Sequence, residues 1–166
     1  MSFTEGALLE PLSVVLHGVE RSPLRLGQSA LICGAGPIGL IALAAAKASG
    51  AFPLVITDVD ASRLAFAKLF IPECETFLIP MKGLPEDHAA GIRTLFVETL
   101  SSEEPSVVYE CTGVQSSVHT AIFACRRAGE VCIIGVGKDI MDGLPFMHLS
   151  LGEVGSHFLR LREQGH

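Results

Sequence analysis

The sequence predicts an α/β fold: a doubly wound, six-stranded parallel sheet with helices on both faces. Three observations predict it. Strand-like and helix-like segments alternate along the 166 residues, as in a parallel sheet whose crossovers are helices. A glycine-rich turn, Gly34 to Gly39, separates the first strand-like segment from a long helix-like one. An acidic residue, Asp58, ends the second strand-like segment.

Six short apolar segments, each bounded by turn residues, are predicted as strands. Their ranges are 31–34, 54–58, 76–79, 106–111, 130–135 and 144–147. Helix-like segments lie at 37–49, 60–70, 85–100 and 116–127, and a leading one runs from 4 to 21. Pro11 is predicted to interrupt the leading helix, because proline fits the first turn of a helix and not its interior. Gly50 is predicted to close the helix 37–49 as a left-handed cap.

The glycine-rich turn reads GAGPIG and satisfies the pattern GxGxxG. In this pattern Gly34 permits the tight turn that leaves the strand, and Gly36 lets a pyrophosphate approach the backbone closely. Gly39 lets the following helix pack against the sheet. Pro37 is suited to the first helical position, where a missing N–H costs little. The turn therefore predicts a phosphate site at the N-terminus of a helix.

Asp58 lies 19 residues after Gly39, close to the spacing expected for an acid that binds ribose hydroxyls. Its charge would repel the additional phosphate of NADP, so the pattern favours NAD. Two alternatives stay open. The segment could be a plain glycine turn with Asp58 as a solvated strand end. It could also belong to an adenosylmethionine-dependent methyltransferase, although Pro37 argues mildly for a pyrophosphate.

Composition argues against several classes of protein. The longest apolar run ends at Lys47, well short of the roughly 18–20 residues that span a bilayer, and no basic stretch indicates a signal peptide. A net charge of −6 argues against a nucleic-acid partner. Five cysteines without CxxC spacing fit reduced thiols, so we expect a cytoplasmic protein without a membrane partner. With 49% hydrophobic and 18% charged residues, part of the surface is expected to face a partner.

Five stretches occur in one order between residues 3 and 149: EGALLEPLSV (5–14), LICGAGPIG (31–39), VITD (55–58), ECTG (110–113) and IIGVG (133–137). This series resembles the cofactor domain of the medium-chain zinc-containing dehydrogenases. Within them it is most similar to the sorbitol, xylitol and L-arabinitol dehydrogenases, and above all to the fungal L-arabinitol type. The resemblance implies a Rossmann fold that binds NAD.

Site residues follow from the motif and from matching positions in that family. The predicted cofactor-binding residues are Gly34, Gly36, Pro37, Ile38, Gly39, Asp58, Arg63, Thr112, Ile134, Gly135 and Val136. The resemblance implies that Asp58 holds the adenosine ribose and that the backbone of 134–136 lines the path to the nicotinamide. Arg63 would lie by the adenine and ribose, or on a solvated helix face. Glu10 would point at the zinc and substrate site, or serve as a helix N-cap.

The resemblance also implies a catalytic zinc, whose ligands in this family belong to an N-terminal catalytic domain. No histidine of this chain precedes a glutamate, and the family's closely spaced structural cysteines are not found. We therefore expect that the zinc domain is absent and that no metal site lies in this chain. Residues 1–27 are predicted as leading helices, 28–148 as the NAD-binding domain and 149–166 as a divergent, frayed tail. Cys111 is expected to be a core thiol and not a nucleophile.

These features predict the NAD(H)-binding domain of a polyol dehydrogenase, which oxidises a sugar alcohol to a ketose by hydride transfer to NAD. Without zinc ligands the chain is expected to be a truncated form that is inactive alone. The alternative is a non-catalytic NAD-binding module or a dimerisation partner of the full-length enzyme. Cofactor domains of this family join through the last strand of the sheet, here expected between Leu144 and Met147. A methyltransferase is the remote alternative.

Overall fold

The computed structural model describes residues 6–138 and 140–158. Six strands form one parallel sheet in the order β3-β2-β1-β4-β5-β6. The strands are β1 (Ala30–Cys33), β2 (Leu54–Asp58), β3 (Glu75–Leu78), β4 (Val107–Glu110), β5 (Glu130–Ile133) and β6 (Gly155–Phe158). This order is that of the doubly wound dinucleotide-binding fold, so the predicted fold class is confirmed.

Helices connect the strands and cover both faces of the sheet. They are α1 (Leu9–Arg21), α2 (Pro37–Ala48), α3 (Ala61–Phe70), α4 (Pro85–Thr94), α5 (Gln115–Ala124) and α6 (Phe146–Gly152), and a π-helical turn (Leu95–Thr99) continues α4. Pro11 lies in the first turn of α1, and Gly50 adopts a positive φ of 80° after α2. The left-handed cap at Gly50 is therefore confirmed. The leading segment is interrupted at Leu8 and not at Pro11, because α1 continues through Pro11 in its first turn, where proline is tolerated.

Two apolar cores flank the sheet, because successive side chains of a strand point to opposite faces. Ile32 of β1 packs with Leu43 of α2 in one core, while Leu31 packs with Phe96 and Ile122 in the other. The strands β1, β2 and β4 are buried along their whole length. Central strands covered on both faces are typical of parallel sheets.

The strand predicted between Leu144 and Met147 is wrong. Pro145 precedes α6 there, and its ring favours a helix start. The sixth strand is β6, which pairs in parallel with β5 and lies within the segment predicted to be a frayed tail. The predicted boundary at residue 148 thus falls inside α6. A ladder to β5 orders a segment whose own pattern is weak, because strand formation depends on the partner strand more than on local propensity. Residues 159–166 of the expected tail lie outside the described residues.

None of the helices in the described part of the chain has the length and apolar character needed to span a membrane.

Candidate functional site

The glycine-rich turn leads directly from β1 into α2. Gly34 has a φ of 100°, a conformation that non-glycine residues rarely adopt. A Cβ on Gly34 would lie 2.7 Å from the Cγ2 methyl of Thr112, in the loop after β4. A Cβ on Gly39 would lie 1.8 Å from the carbonyl oxygen of Gly34. The first and third glycines of the motif therefore allow close packing of the turn, the helix and the neighbouring loop.

Gly36 stands in a different environment. It precedes α2 with an ordinary φ of −78°, and a Cβ built on it meets no atom within 4 Å. Pro37 occupies the first helical position, and no side chain caps the first turn of α2. The N–H groups of that turn and the positive end of the helix dipole consequently face open space, where an anion would be stabilised.

Asp58 borders the same space from the end of β2. The residue is only 8% exposed. Its Oδ2 accepts a hydrogen bond of 2.7 Å from the N–H of Ala35, and its Oδ1 accepts one of 2.9 Å from the N–H of Asp60. A carboxylate has about four acceptor positions, so Asp58 holds the glycine turn and can still accept from a ligand hydroxyl.

Arg63 lies beside this carboxylate on α3. Its guanidinium is 3.8 Å from Oδ2 of Asp58 and 4.0 Å from Oδ2 of Asp60, and its side chain is 59% exposed. Asp60 caps α3 through the amide and hydroxyl of Ser62, and these hydrogen bonds lower the pKa of Asp60. Arg63 is therefore both solvated and adjacent to Asp58. From this position its side chain is able to contact an adenine and ribose bound beside Asp58.

The loops after β4 and β5 complete this edge of the sheet. Gly113 has a φ of 70°, and a Cβ on it would lie 2.4 Å from the main chain of Val136. A Cβ on Gly135 would lie 2.2 Å from the N–H nitrogen of Gly113. Two loops that are distant in sequence thus pack backbone against backbone. The side chain of Ile134 is buried in a core, whereas Val136 is 92% exposed. This loop therefore presents its main chain and one apolar side chain to the solvent.

Glu110 lies in the stretch ECTG (110–113), but the sequence motifs predict no role for it. This glutamate ends β4 and is fully buried. Its carboxylate accepts hydrogen bonds from Thr112, Gly113 and Ser117. An acidic residue inside an otherwise apolar strand was the available signal, because buried carboxylates are rare unless several donors surround them.

Ile38 and Glu10 have different surroundings. Ile38 is half-buried and packs against the core beneath α2. Glu10 is exposed in the first turn of α1, and Leu8 occupies the N-cap position, so the N-cap interpretation of Glu10 is wrong. Among the described residues no hydrogen bond or ion pair connects the Glu10 side chain to the glycine turn or to Asp58.

The cysteines do not form a reactive centre. Four are buried and Cys111 is partly buried. Burial raises the pKa of Cys125 and of Cys132 to about 12, and it also raises the pKa of Cys111. Thiols with raised pKa values stay protonated near neutrality and are poor nucleophiles. This supports the prediction that Cys111 is a core thiol.

Comparisons with known proteins identify the family of this chain. Residues 37–160 match the family model described as zinc-binding dehydrogenase. The chain belongs to this family. It is 50% identical over 158 residues to an L-arabinitol 4-dehydrogenase of Aureobasidium melanogenum. The aligned region covers 95% of this chain and 42% of that relative. It is 41% identical to the sorbitol dehydrogenase of Mus musculus over 93% of the chain and 41% of that relative. The chain thus spans about two fifths of the length of these relatives.

Solved structures show the same architecture. A 2R,3R-butanediol dehydrogenase from Bacillus subtilis superposes with a TM-score of 0.80 at 28% sequence identity. The match covers 96% of this chain and 43% of the chain of that dehydrogenase. A zinc-binding dehydrogenase from Sinorhizobium meliloti, solved with NADP bound, has a TM-score of 0.75 at 25% identity, covering 92% of this chain and 43% of its own. The family membership leaves the methyltransferase alternative without support.

The described residues of this chain form no group that could bind zinc by themselves. A zinc site needs about three protein ligands of the His, Cys, Asp or Glu type. Across residues 6–138 and 140–158 no three such side chains come together as a metal-binding group.

Proposed function

We propose that this chain binds NAD(H) and forms the cofactor domain of a zinc-dependent polyol dehydrogenase. The supporting observation is the arrangement around Gly36. Open space lies at the uncapped N-terminus of α2, and the nearly buried carboxylate of Asp58 is fixed beside it by Ala35. The names of the relatives, L-arabinitol 4-dehydrogenase and sorbitol dehydrogenase, support a sugar alcohol as the substrate class.

Each loop of the edge would hold one part of the dinucleotide. The pyrophosphate would lie over Gly36, where the first-turn N–H groups of α2 stabilise its charge. The adenosine ribose would donate hydroxyl hydrogen bonds to Asp58, with Arg63 beside it. The nicotinamide would extend across the strand-order reversal between β1 and β4 toward Thr112 and Val136. When bound, NAD supplies the carbon that accepts the hydride of the alcohol.

Asp58 is the basis for proposing NAD and not NADP. A phosphate on the adenosine ribose would approach a carboxylate that is held in place and largely shielded from water, so repulsion is strong. Among the described residues, Arg63 is the cation within 4.0 Å of the Asp58 carboxylate, and its exposed side chain is shared between Asp58 and Asp60. Two carboxylates against one solvated guanidinium leave the site unfavourable for the additional phosphate.

We expect Asp58→Asn to weaken NADH binding by about 1–3 kcal/mol, roughly 5- to 150-fold, because the ribose hydroxyls lose a charged acceptor. Asparagine keeps one acceptor oxygen for the glycine turn, so the fold should persist. The preference for NADH over NADPH should shrink as well, since the repulsive charge is gone. Isothermal titration calorimetry with both nucleotides measures both effects.

Glu73→Gln is the matched control for this charge change. Glu73 is an exposed partner of Lys47, at 2.7 Å, and its substitution should leave both affinities unaltered. A folded Asp58→Asn chain with wild-type affinity and wild-type preference would contradict the ribose role.

The chemical step is expected to need groups that the described residues do not provide. Polyol oxidation in a zinc enzyme relies on the metal to lower the pKa of the alcohol, and the described residues contain no group of metal ligands. We therefore propose that this chain binds cofactor without oxidising polyols on its own. The measurement is NADH formation from NAD with L-arabinitol, sorbitol or xylitol and added zinc. Polyol-dependent NADH formation by the purified chain would contradict this proposal.

A second candidate function is a non-catalytic NAD-binding partner that pairs through the edge of the sheet. The last described strand is β6, so such pairing would use Gly155–Phe158 and not the segment between Leu144 and Met147. Exposed apolar side chains on the neighbouring helix α6, Phe146, Met147 and Leu151, favour this candidate. Gel filtration of the chain alone and with an intact relative separates it from a monomeric cofactor domain.

A further inference from the structure

Glu110 has an unusual environment for a charged side chain. It is fully buried at the end of β4. The Oε1 atom accepts from the N–H of Thr112 and the hydroxyl of Ser117, both at 2.9 Å, and from the hydroxyl of Thr112. The Oε2 atom accepts from the N–H of Gly113 at 2.9 Å. Within the described residues no lysine or arginine pairs with Glu110, so these four donors compensate its charge.

All four donors belong to the segment that follows β4. Without these donors the buried carboxylate would carry a large desolvation penalty. Glu110 therefore strongly favours the one loop conformation that presents all four donors together. The hydroxyl of Thr112 also accepts a hydrogen bond of 3.0 Å from the N–H of Val114, which extends the network to the start of α5. Glu110 thus determines where Thr112 and Gly113 lie.

The same residue reaches the loop after β5. The main-chain oxygen of Glu110 accepts from the N–H groups of Ile134 and Gly135, at 2.8 and 2.9 Å. Gly135 in turn packs so closely on Gly113 that a Cβ would lie 2.2 Å from its nitrogen. Displacement of Gly113 must therefore displace Gly135 and the exposed Val136.

We propose that Glu110 is the positioning residue for the nicotinamide half of the cofactor site, an inference that rests on the proposed NAD(H) function. A doubly wound sheet binds the two nucleotide halves on opposite sides of the reversal in strand order. Asp58 and the glycine turn lie on the β1–β2 side, whereas every loop that Glu110 holds lies on the β4–β5 side. Glu110 therefore acts on one half of the ligand without touching it.

Glu110→Gln separates this role from a general structural one. Glutamine has one acceptor oxygen, and if that oxygen takes the Oε1 position it keeps Thr112 and Ser117. Its amide group then faces the N–H of Gly113, and two donors repel each other. The substitution consequently loosens the contact that joins the two nicotinamide-side loops, while the tie between Asp58 and Ala35 stays intact.

The experiment compares ADP, which contacts only the adenosine and pyrophosphate side, with NADH, by titration of the full chain. In Glu110→Gln we expect ADP affinity to be retained and NADH affinity to fall about tenfold, so that the advantage of NADH over ADP disappears. Glu103→Gln is the control, because it makes the same charge change at an exposed partner of Arg126 and should alter neither affinity.

Thr112→Val is the second variant, for the case that Glu110→Gln does not fold. It removes the hydroxyl that donates to Glu110 and accepts from the N–H of Val114, and it leaves no amide opposite an N–H. We expect it, like Glu110→Gln, to lower the affinity for NADH and to leave the affinity for ADP unchanged. Equal losses for ADP and NADH in the folded variants, or no loss of NADH affinity, would overturn this inference alone. A wild-type chain that binds neither ADP nor NADH would overturn the proposed function and this inference together.

Discussion

Gly39→Ala is expected to destabilise the domain by about 3 kcal/mol, the largest effect of any single methyl group in this site. The new Cβ would lie 1.8 Å from the carbonyl oxygen of Gly34. That oxygen belongs to backbone that is held on both sides, since the N–H of Gly34 donates to Thr57 and α2 packs on the sheet. The contact can open only if α2 moves away from β1 by more than an ångström, which disrupts the core around Leu43.

Urea denaturation followed by circular dichroism measures this loss as a lower midpoint with an unchanged slope. Gly6→Ala is a suitable control, because its Cβ meets no atom within 4 Å. A Gly39→Ala chain as stable as the wild type would show that the helix and the turn are not in the close contact described for them.

Gly36→Ala is expected to leave the fold intact and to weaken NADH binding at least about tenfold, because the pyrophosphate must approach the backbone at this residue. The conformation of Gly36 is open to alanine, and the new methyl group contacts no protein atom. The methyl group would instead project into the space proposed for the phosphates. A large binding effect and a large stability effect are thus expected from two glycines three residues apart.

Calorimetric titration with NADH, together with a urea midpoint for the same sample, tests this separation. The same Gly6→Ala variant controls for the loss of glycine flexibility in the unfolded chain. Wild-type NADH affinity in Gly36→Ala would place the phosphates elsewhere, and an unfolded variant would show that Gly36 has a structural role that its open surroundings do not reveal.

Much of the site could be predicted from the sequence because its signals are local. The turn from β1 to α2 needs a positive φ at Gly34, close packing at Gly39 and an open position at Gly36, and each requirement selects glycine at a fixed spacing. Asp58 follows from the same logic, since an acid at the end of β2 faces that turn. Its hydrogen bond to Ala35 was not predictable, because it depends on how closely β1 and β2 pair.

The errors arose where a segment depends on a distant partner. The residues between Leu144 and Met147 are apolar enough for a strand, yet Pro145 starts a helix there. The strand β6 has little pattern of its own and forms because β5 offers an unpaired edge with matching register. The role of Glu110 is not predictable from sequence for the same reason, since its donors come together only when the loop after β4 is folded around it.

The sequence by itself determined the alternation of strands and helices, the phosphate turn and the acid beside it, because backbone sterics and periodicity operate within a few residues. Only the tertiary structure decided where the sheet ends, how Asp58 holds Ala35, and how Glu110 joins the loops after β4 and β5. These depend on hydrogen bonds and close packing between residues that are distant in sequence, such as Gly113 and Gly135, and such contacts exist only once the strands have paired.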